Sequence, residues 1–153
     1  MSMIEMEGQA EEQYLTPNTI GERAQAQIAA VVMEYGYTIL IPFGEGRRYD
    51  MVMEKDNRFY RLQCKTGRYK DGVVVFNTCS VHWWAKTKRS YTKEEIDFFA
   101  VYCRFTSKAY LVPVEDIGTT LGSLRIEPTA NNQQKGVRWA EDYEVEKILL
   151  MLQ

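Results

Sequence analysis

A carboxylate, an amide and an ammonium stand in this chain at spacings that suit phosphodiester hydrolysis: Arg48-Tyr49-Asp50 is followed, after twelve residues, by Gln63-Cys64-Lys65. Such hydrolysis needs an activated water, an in-line approach and positive charge where the phosphate becomes more negative. A divalent cation such as Mg²⁺, with Mn²⁺ able to substitute, supplies all three when oxygen ligands hold it. Asp50 is the candidate anionic ligand, the Gln63 amide oxygen a second, and the Cys64 backbone carbonyl a third, with the Cys64 thiol turned toward the core. Lys65 would stand beside the attacking water and stabilise its deprotonated form or the phosphate charge. Glu22, upstream on an expected helix, is the candidate acceptor from a water near the ion and a further metal ligand.

For these residues to meet, two adjacent strands must carry them. Over residues 58–65 the sequence alternates, with Tyr60, Leu62 and Cys64 on one face and Phe59, Arg61, Gln63 and Lys65 on the other. Residues 50–54 are β-like and Asp56-Asn57 marks a turn, so a hairpin brings Asp50 to the Gln63/Lys65 pair. Upstream, Thr19 with Glu22 forms a capping-box pattern, and Ile20, Ala24, Ile28, Val31, Val32 and Tyr35 form an apolar stripe that ends at Gly36, which predicts a helix. Residues 1–17 show no sustained period and predict an N-terminal arm, leaving 18–153 as a single domain. Further strands are expected at 37–42, 72–78, 98–104 and 109–113, with a short extended piece at 124–126. The Val-Val-Val-Phe run at 73–76, apolar on both parities, predicts a strand covered on both faces. Residues 80–92 read as a polar loop carrying Trp83 and Trp84. Val145, Ile148, Leu149 and Leu152 predict a C-terminal helix whose face Leu150 and Met151 broaden. The expected architecture is an α/β sandwich, a mixed β-sheet flanked by an N-terminal and a C-terminal helix.

Composition narrows the field. At 153 residues the chain is long enough for one core. No apolar run approaches the ~20 residues that span a bilayer, and the acidic start at Glu5, Glu7, Glu11 and Glu12 is unlike a secretory signal, so an intracellular, cytoplasmic protein with no membrane partner is expected. Three widely spaced cysteines indicate neither a disulfide framework nor a zinc knuckle. His82 is the only histidine, which excludes a multi-histidine metal site or a catalytic histidine pair. A net charge of −2 weighs against nucleic acid, but acidic residues gather at the two ends while 58–70 and 86–93 are basic, leaving room for a local patch.

Each residue has a plainer reading. Asp50 could pair with Arg47, Arg48 or Arg61; Gln63 and Lys65 could be a solvated strand face; the capping box accounts for Glu22 without catalysis. Trp83 and Trp84 could stack on bases or simply pack.

With those residues set out, the chain resembles a known family. Gly44-Glu45 with Arg48-Tyr49-Asp50, the run Gln63-Cys64-Lys65-Thr66-Gly67-Arg68, Glu94 to Tyr102, Tyr110-Leu111-Val112-Pro113, Leu124 to Pro128, Asn131 to Lys135 and Arg138 to Tyr143 resemble the group I intron-associated endonucleases of the PD-(D/E)XK superfamily, over about residues 18 to 143. The resemblance implies a restriction-endonuclease-like core, Mg²⁺-dependent cleavage of double-stranded DNA, homing-type sequence preference and assembly as a homodimer or homotetramer so that both strands are cut. It puts Glu22, Asp50, Gln63 and Lys65 at the family's active-site positions. Gln63 stands where the superfamily usually has a carboxylate, although homing endonucleases of this group look similar in having glutamine there. Arg48, Lys86, Lys88 and Arg89, and separately Arg125, Lys135 and Arg138, could hold phosphates, while Asn131, Asn132, Gln133 and Gln134 carry amides able to read adenine edges. Two other readings stay open: a catalytically silent nuclease fold used in DNA binding or phage assembly, and a Holliday-junction resolvase.

Overall fold

The computed structural model describes residues 15–153, so the expected arm lies almost wholly outside the described residues. Helix α1 runs over Pro17–Glu34. Its cap is Thr16, not Thr19: Thr16 is extended and its Oγ1 accepts from the Thr19 amide at 3.2 Å. Proline costs nothing at the first helical position, because its missing N–H would be unpaired there anyway. Pro17 therefore opens the helix, and the expected Thr19/Glu22 box is replaced by a cap one turn earlier. Ala24, Ile28 and Val32, four apart, form the buried stripe.

Nine strands follow: β1 (Thr38–Leu40), β2 (Met51–Lys55), β3 (Arg58–Lys70), β4 (Val73–Asn77), β5 (Cys79–His82), β6 (Thr87–Ser90), β7 (Phe98–Cys103), β8 (Lys108–Pro113) and β9 (Leu121–Arg125); helix α2 (Val145–Met151) closes the described chain. The main sheet runs β1-β2-β3-β4-β9, with β7 beside β3 and β8 beside β7. β3 organises it. Its middle, Leu62 to Gly67, lies parallel to Phe98 to Cys103, while its last residues turn antiparallel to β4. A bidentate Arg61–Asp97 pair, at 3.1 and 3.2 Å, sits where β3 and β7 begin to run together, and Asp97 also accepts from the Arg61 amide at 2.7 Å.

The two faces of this sheet bury separate clusters. On one, Met51, Met53, Leu62, Ala100 and Leu111 pack against Ile28 and Val32 of α1 and Ile148 and Leu149 of α2. On the other, Phe99, Val101 and Val112 pack with Val74 and Phe76 of β4, Leu124 of β9 and Ala140. Each large side chain so buried contributes about 1.5–3 kcal/mol. β7 and β8 each feed both clusters and are covered on both sides; β4, expected to be so covered, alternates instead, with Val74 and Phe76 buried and Val73 and Val75 half-buried. A second correction concerns residues 80–92. They form a two-stranded β5–β6 ribbon, in which Ser80 faces Arg89 and Val81 faces Lys88. An exposed ribbon buries no alternate residues, so it carries no apolar period by which to read it.

Gly67 shows how tightly β3 is held. A Cβ there would meet Val74 Cγ1 at 2.7 Å and Val101 Cγ1 at 2.9 Å. Gly67→Ala is expected to destabilise the fold by about 1–3 kcal/mol through overpacking, measurable as a lowered denaturation midpoint with unchanged slope.

Candidate active site

The β2–β3 turn uses Asp56 and Asn57 at φ of 53° and 61°, the left-handed pair that a two-residue hairpin needs. This fixes the register with Met51 opposite Leu62. Asp50, one step beyond, donates its amide to the Leu62 carbonyl at 2.8 Å, and its Oδ2 accepts from the Cys64 amide at 2.8 Å. The carboxylate is thus strapped to the backbone between Gln63 and Lys65. Because Gln63 and Lys65 neighbour Phe99 and Val101 of β7, they share the sheet face opposite the helices. Lys65 Nζ lies 5.1 Å from the centroid of the Tyr91 ring.

Burial dominates the electrostatics. It lifts the Asp50 carboxyl above the usual aspartate range, against the opposing pull of the Cys64 amide and the Lys65 charge. It also draws the Lys65 ammonium below the usual lysine range; Asp50 opposes that shift, and the positive charge of Arg48 adds to it. The Cys64 thiol is pushed well up by burial and by Asp50, so it is no nucleophile at neutral pH. Two of the arginines expected near Asp50 are engaged elsewhere. Arg61 is paired with Asp97, and Arg48 with Glu95 at 3.2 Å.

Arg48 is occupied by protein. It donates to Ser80 Oγ at 2.9 Å and to the Ser90 carbonyl at 2.7 Å, one partner on each strand of the β5–β6 ribbon, and its guanidinium lies 3.8 Å over the Tyr91 ring. Tyr91 therefore stands between Arg48 and Lys65. The sequence reading passed over Tyr91; an aromatic residue next to a basic segment was the available signal. It also passed over a groove of about 1020 Å³ lined by Arg23, Arg68, Arg104 and the stacked Tyr69 and Phe105, residues far apart in sequence.

The other candidates lie elsewhere. Glu22 is exposed on α1, with no hydrogen bond or ion pair to Asp50, Gln63 or Lys65. Lys86 and Lys88 are exposed on the ribbon, and Arg89 is paired with Glu95. Gln134, Lys135 and Arg138 are exposed in the segment after β9.

Among the described residues, no three His, Cys, Asp or Glu side chains cluster in a way that could hold a metal. The donor set at Asp50 nevertheless suits a hard divalent cation: Oδ1 and the Gln63 amide accept from no described group, and the backbone strap leaves Oδ1 available.

Against known proteins, a family profile described as PD-(D/E)XK endonuclease matches residues 15–146. The solved structure of a bacterial homing endonuclease, I-Ssp6803I, is similar over 90% of this chain and 95% of its own, at 19% identity and a TM-score of 0.70. At that identity the likeness bears on the fold, and it agrees with the restriction-endonuclease-like core expected from the sequence. No curated protein sequence matches.

Burial of Asp50 has a consequence for stability. A carboxyl whose folded pKa is raised binds its proton more tightly when folded, so stability falls as pH rises from the unfolded value, 3.8, through the folded one, and the penalty is complete above it. Asp50→Asn removes the charge and keeps an acceptor for the Cys64 amide. Its Tm should exceed that of the wild type at pH 7, with the gap closing as pH falls toward 3.8; an equal gap at both ends of a pH-resolved melting series would refute this account.

Proposed function

The chain belongs to the PD-(D/E)XK endonuclease family, and from that premise we propose that it is a Mg²⁺-dependent, sequence-preferring endonuclease that hydrolyses double-stranded DNA in the manner of a homing enzyme. The observation that carries this reading is the juxtaposition at β2 and β3: a carboxylate strapped to the Cys64 amide, with a half-buried lysine beside it. Asp50 and Gln63, with the Cys64 carbonyl, would hold the cation, and Glu22 of α1 is assigned as a further oxygen ligand. When bound, the cation supplies Lewis acidity toward a phosphate oxygen and acidifies water. The chain's own residues do the rest. Lys65, drawn below the usual lysine range, stabilises negative charge on the phosphate or exchanges a proton with the attacking water; Gln63 orients without adding charge.

Cutting two strands requires two sites, so a homodimer or homotetramer is proposed. Leu150 and Met151 of α2, 65% and 77% exposed, offer an apolar contact for it. Residues 18–153 are proposed as one catalytic domain acting in the cytoplasm; no described helix is long and apolar enough to cross a membrane. Phosphate contacts are assigned to Lys86 and Lys88 with Arg89, and to Lys135 and Arg138, with Gln134 beside base edges; Arg48 serves DNA by holding the ribbon that carries the first set.

The neutral Gln63 favours a second reading, a silent nuclease fold that binds DNA without cutting it. Two variants decide. With Mg²⁺ on supercoiled plasmid and a random duplex library, Lys65→Ala is expected to lose about 10²-fold or more of the cleavage rate, with the fold retained as read by an unchanged circular-dichroism spectrum; wild-type rates would defeat the assignment. Gln63→Glu should tighten metal binding, read by the concentration of Mg²⁺ at half-maximal cleavage, and a wild-type protein that leaves both DNAs intact with Mg²⁺ and with Mn²⁺ would favour the silent reading.

A further inference from the structure

Among the described residues, the tip of the β5–β6 ribbon is left almost uncovered. Trp83 and Trp84 are 85% and 100% exposed, and Val81 is 50% exposed. Tryptophan carries a large apolar surface that is ordinarily buried, and among the described residues almost none of it is covered at these two positions. Lys86 and Lys88 follow them, exposed and, among the described residues, without an ion-pair partner, and no acidic residue occurs between Cys79 and Lys93. The patch combines π-faces with unpaired positive charge.

The ribbon's root, in contrast, is fixed. Arg48 joins both strands, through Ser80 Oγ on β5 and the Ser90 carbonyl on β6, and is itself braced by Glu95 and by Tyr91. Tyr91 also faces Lys65 at 5.1 Å. The arm therefore projects at a set distance from the catalytic lysine, and anything it touches is positioned relative to that lysine. Four cross-strand pairs at about 3.3 Å per residue give a reach of roughly 13 Å before the turn, and a two-stranded ribbon fits the major groove of B-DNA.

Resting on the nuclease reading above, we propose that the β5–β6 ribbon is a DNA-probing arm: Trp83 and Trp84 contact bases of the duplex beside the cleavage point, and Lys86 and Lys88 hold the flanking phosphates. Charge complementarity selects this occupant. A second copy of the chain would have to neutralise two lysines with acids, whereas the major groove of duplex DNA offers phosphates beside base edges and thymine methyl groups that aromatic side chains can contact. Arg48 is then a positioning residue that couples arm to site.

Tryptophan fluorescence tests this directly. In the full-length Lys65→Ala protein carrying Trp139→Phe, the signal comes from Trp83 and Trp84 alone. Adding a fluorescently labelled random-sequence duplex of about 40 base pairs at low salt, a length chosen to exceed one recognition site, should quench the signal in parallel with the anisotropy of the label. Trp83→Ala with Trp84→Ala should weaken binding by about 10- to 100-fold and broaden the sequences that the otherwise wild-type enzyme cuts. Lys86→Gln with Lys88→Gln should flatten the salt dependence by up to about two phosphate contacts. Duplex binding with unquenched tryptophans overturns the arm and leaves the nuclease reading standing. A spectrum that changes with protein concentration but not with DNA overturns it in favour of self-association. No duplex binding at any salt overturns both, and unlike the other outcomes is seen in the anisotropy first.

Discussion

The register of β3 is the constraint on which the rest depends. One residue of slip against β2 or β7 would exchange the two faces of the strand, sending Gln63 and Lys65 under the helices and Leu62 and Cys64 to the other side. Three local features oppose that slip. The left-handed Asp56-Asn57 turn sets the pairing with β2, the Arg61–Asp97 fork sets the pairing with β7, and Gly67 admits Val74 and Val101 so closely that any added Cβ would push against them. Asp50 then finds the Cys64 amide because the strands leave it no other place. Catalytic geometry here is a product of strand registration.

Burial on that frame sets the charges. The same packing that raises Asp50 lowers Lys65; the Cys64 amide and the Lys65 charge oppose the shift at Asp50, and Asp50 opposes the shift at Lys65. A neutral Gln63 fits such a site. A third charge would add repulsion toward Asp50 in a place already depleted of water, while an amide still presents an oxygen.

Much of this was legible in the sequence, for particular reasons. The alternation around Leu62 and Cys64 and the Asp-Asn turn gave the hairpin, because each acts over a few residues. The helix stripe gave α1, though its start moved from Thr19 to Thr16 once Pro17 proved to be its first residue. What stayed hidden were pairings with no periodic trace. Arg48 reads as one more basic residue until it is seen between Ser80, Ser90, Glu95 and Tyr91, which lie 32 to 47 residues away in the chain. The ribbon reads as a loop since its exposed residues carry no apolar period, and the Val-Val-Val-Phe run reads as covered on both faces although only Val74 and Phe76 of it are buried.

The separation between the ribbon's root and its tip bears on how such a protein can change over generations. Tip residues 83–86 are exposed, so replacing them costs the fold little, whereas Arg48, Tyr91 and the strands beneath are tied into the frame. Mutations at the tip can therefore accumulate without passing through unstable intermediates. A lineage built on this scaffold could explore new targets with its hydrolytic machinery untouched, and the rate of that drift would be set by selection on the target rather than by folding.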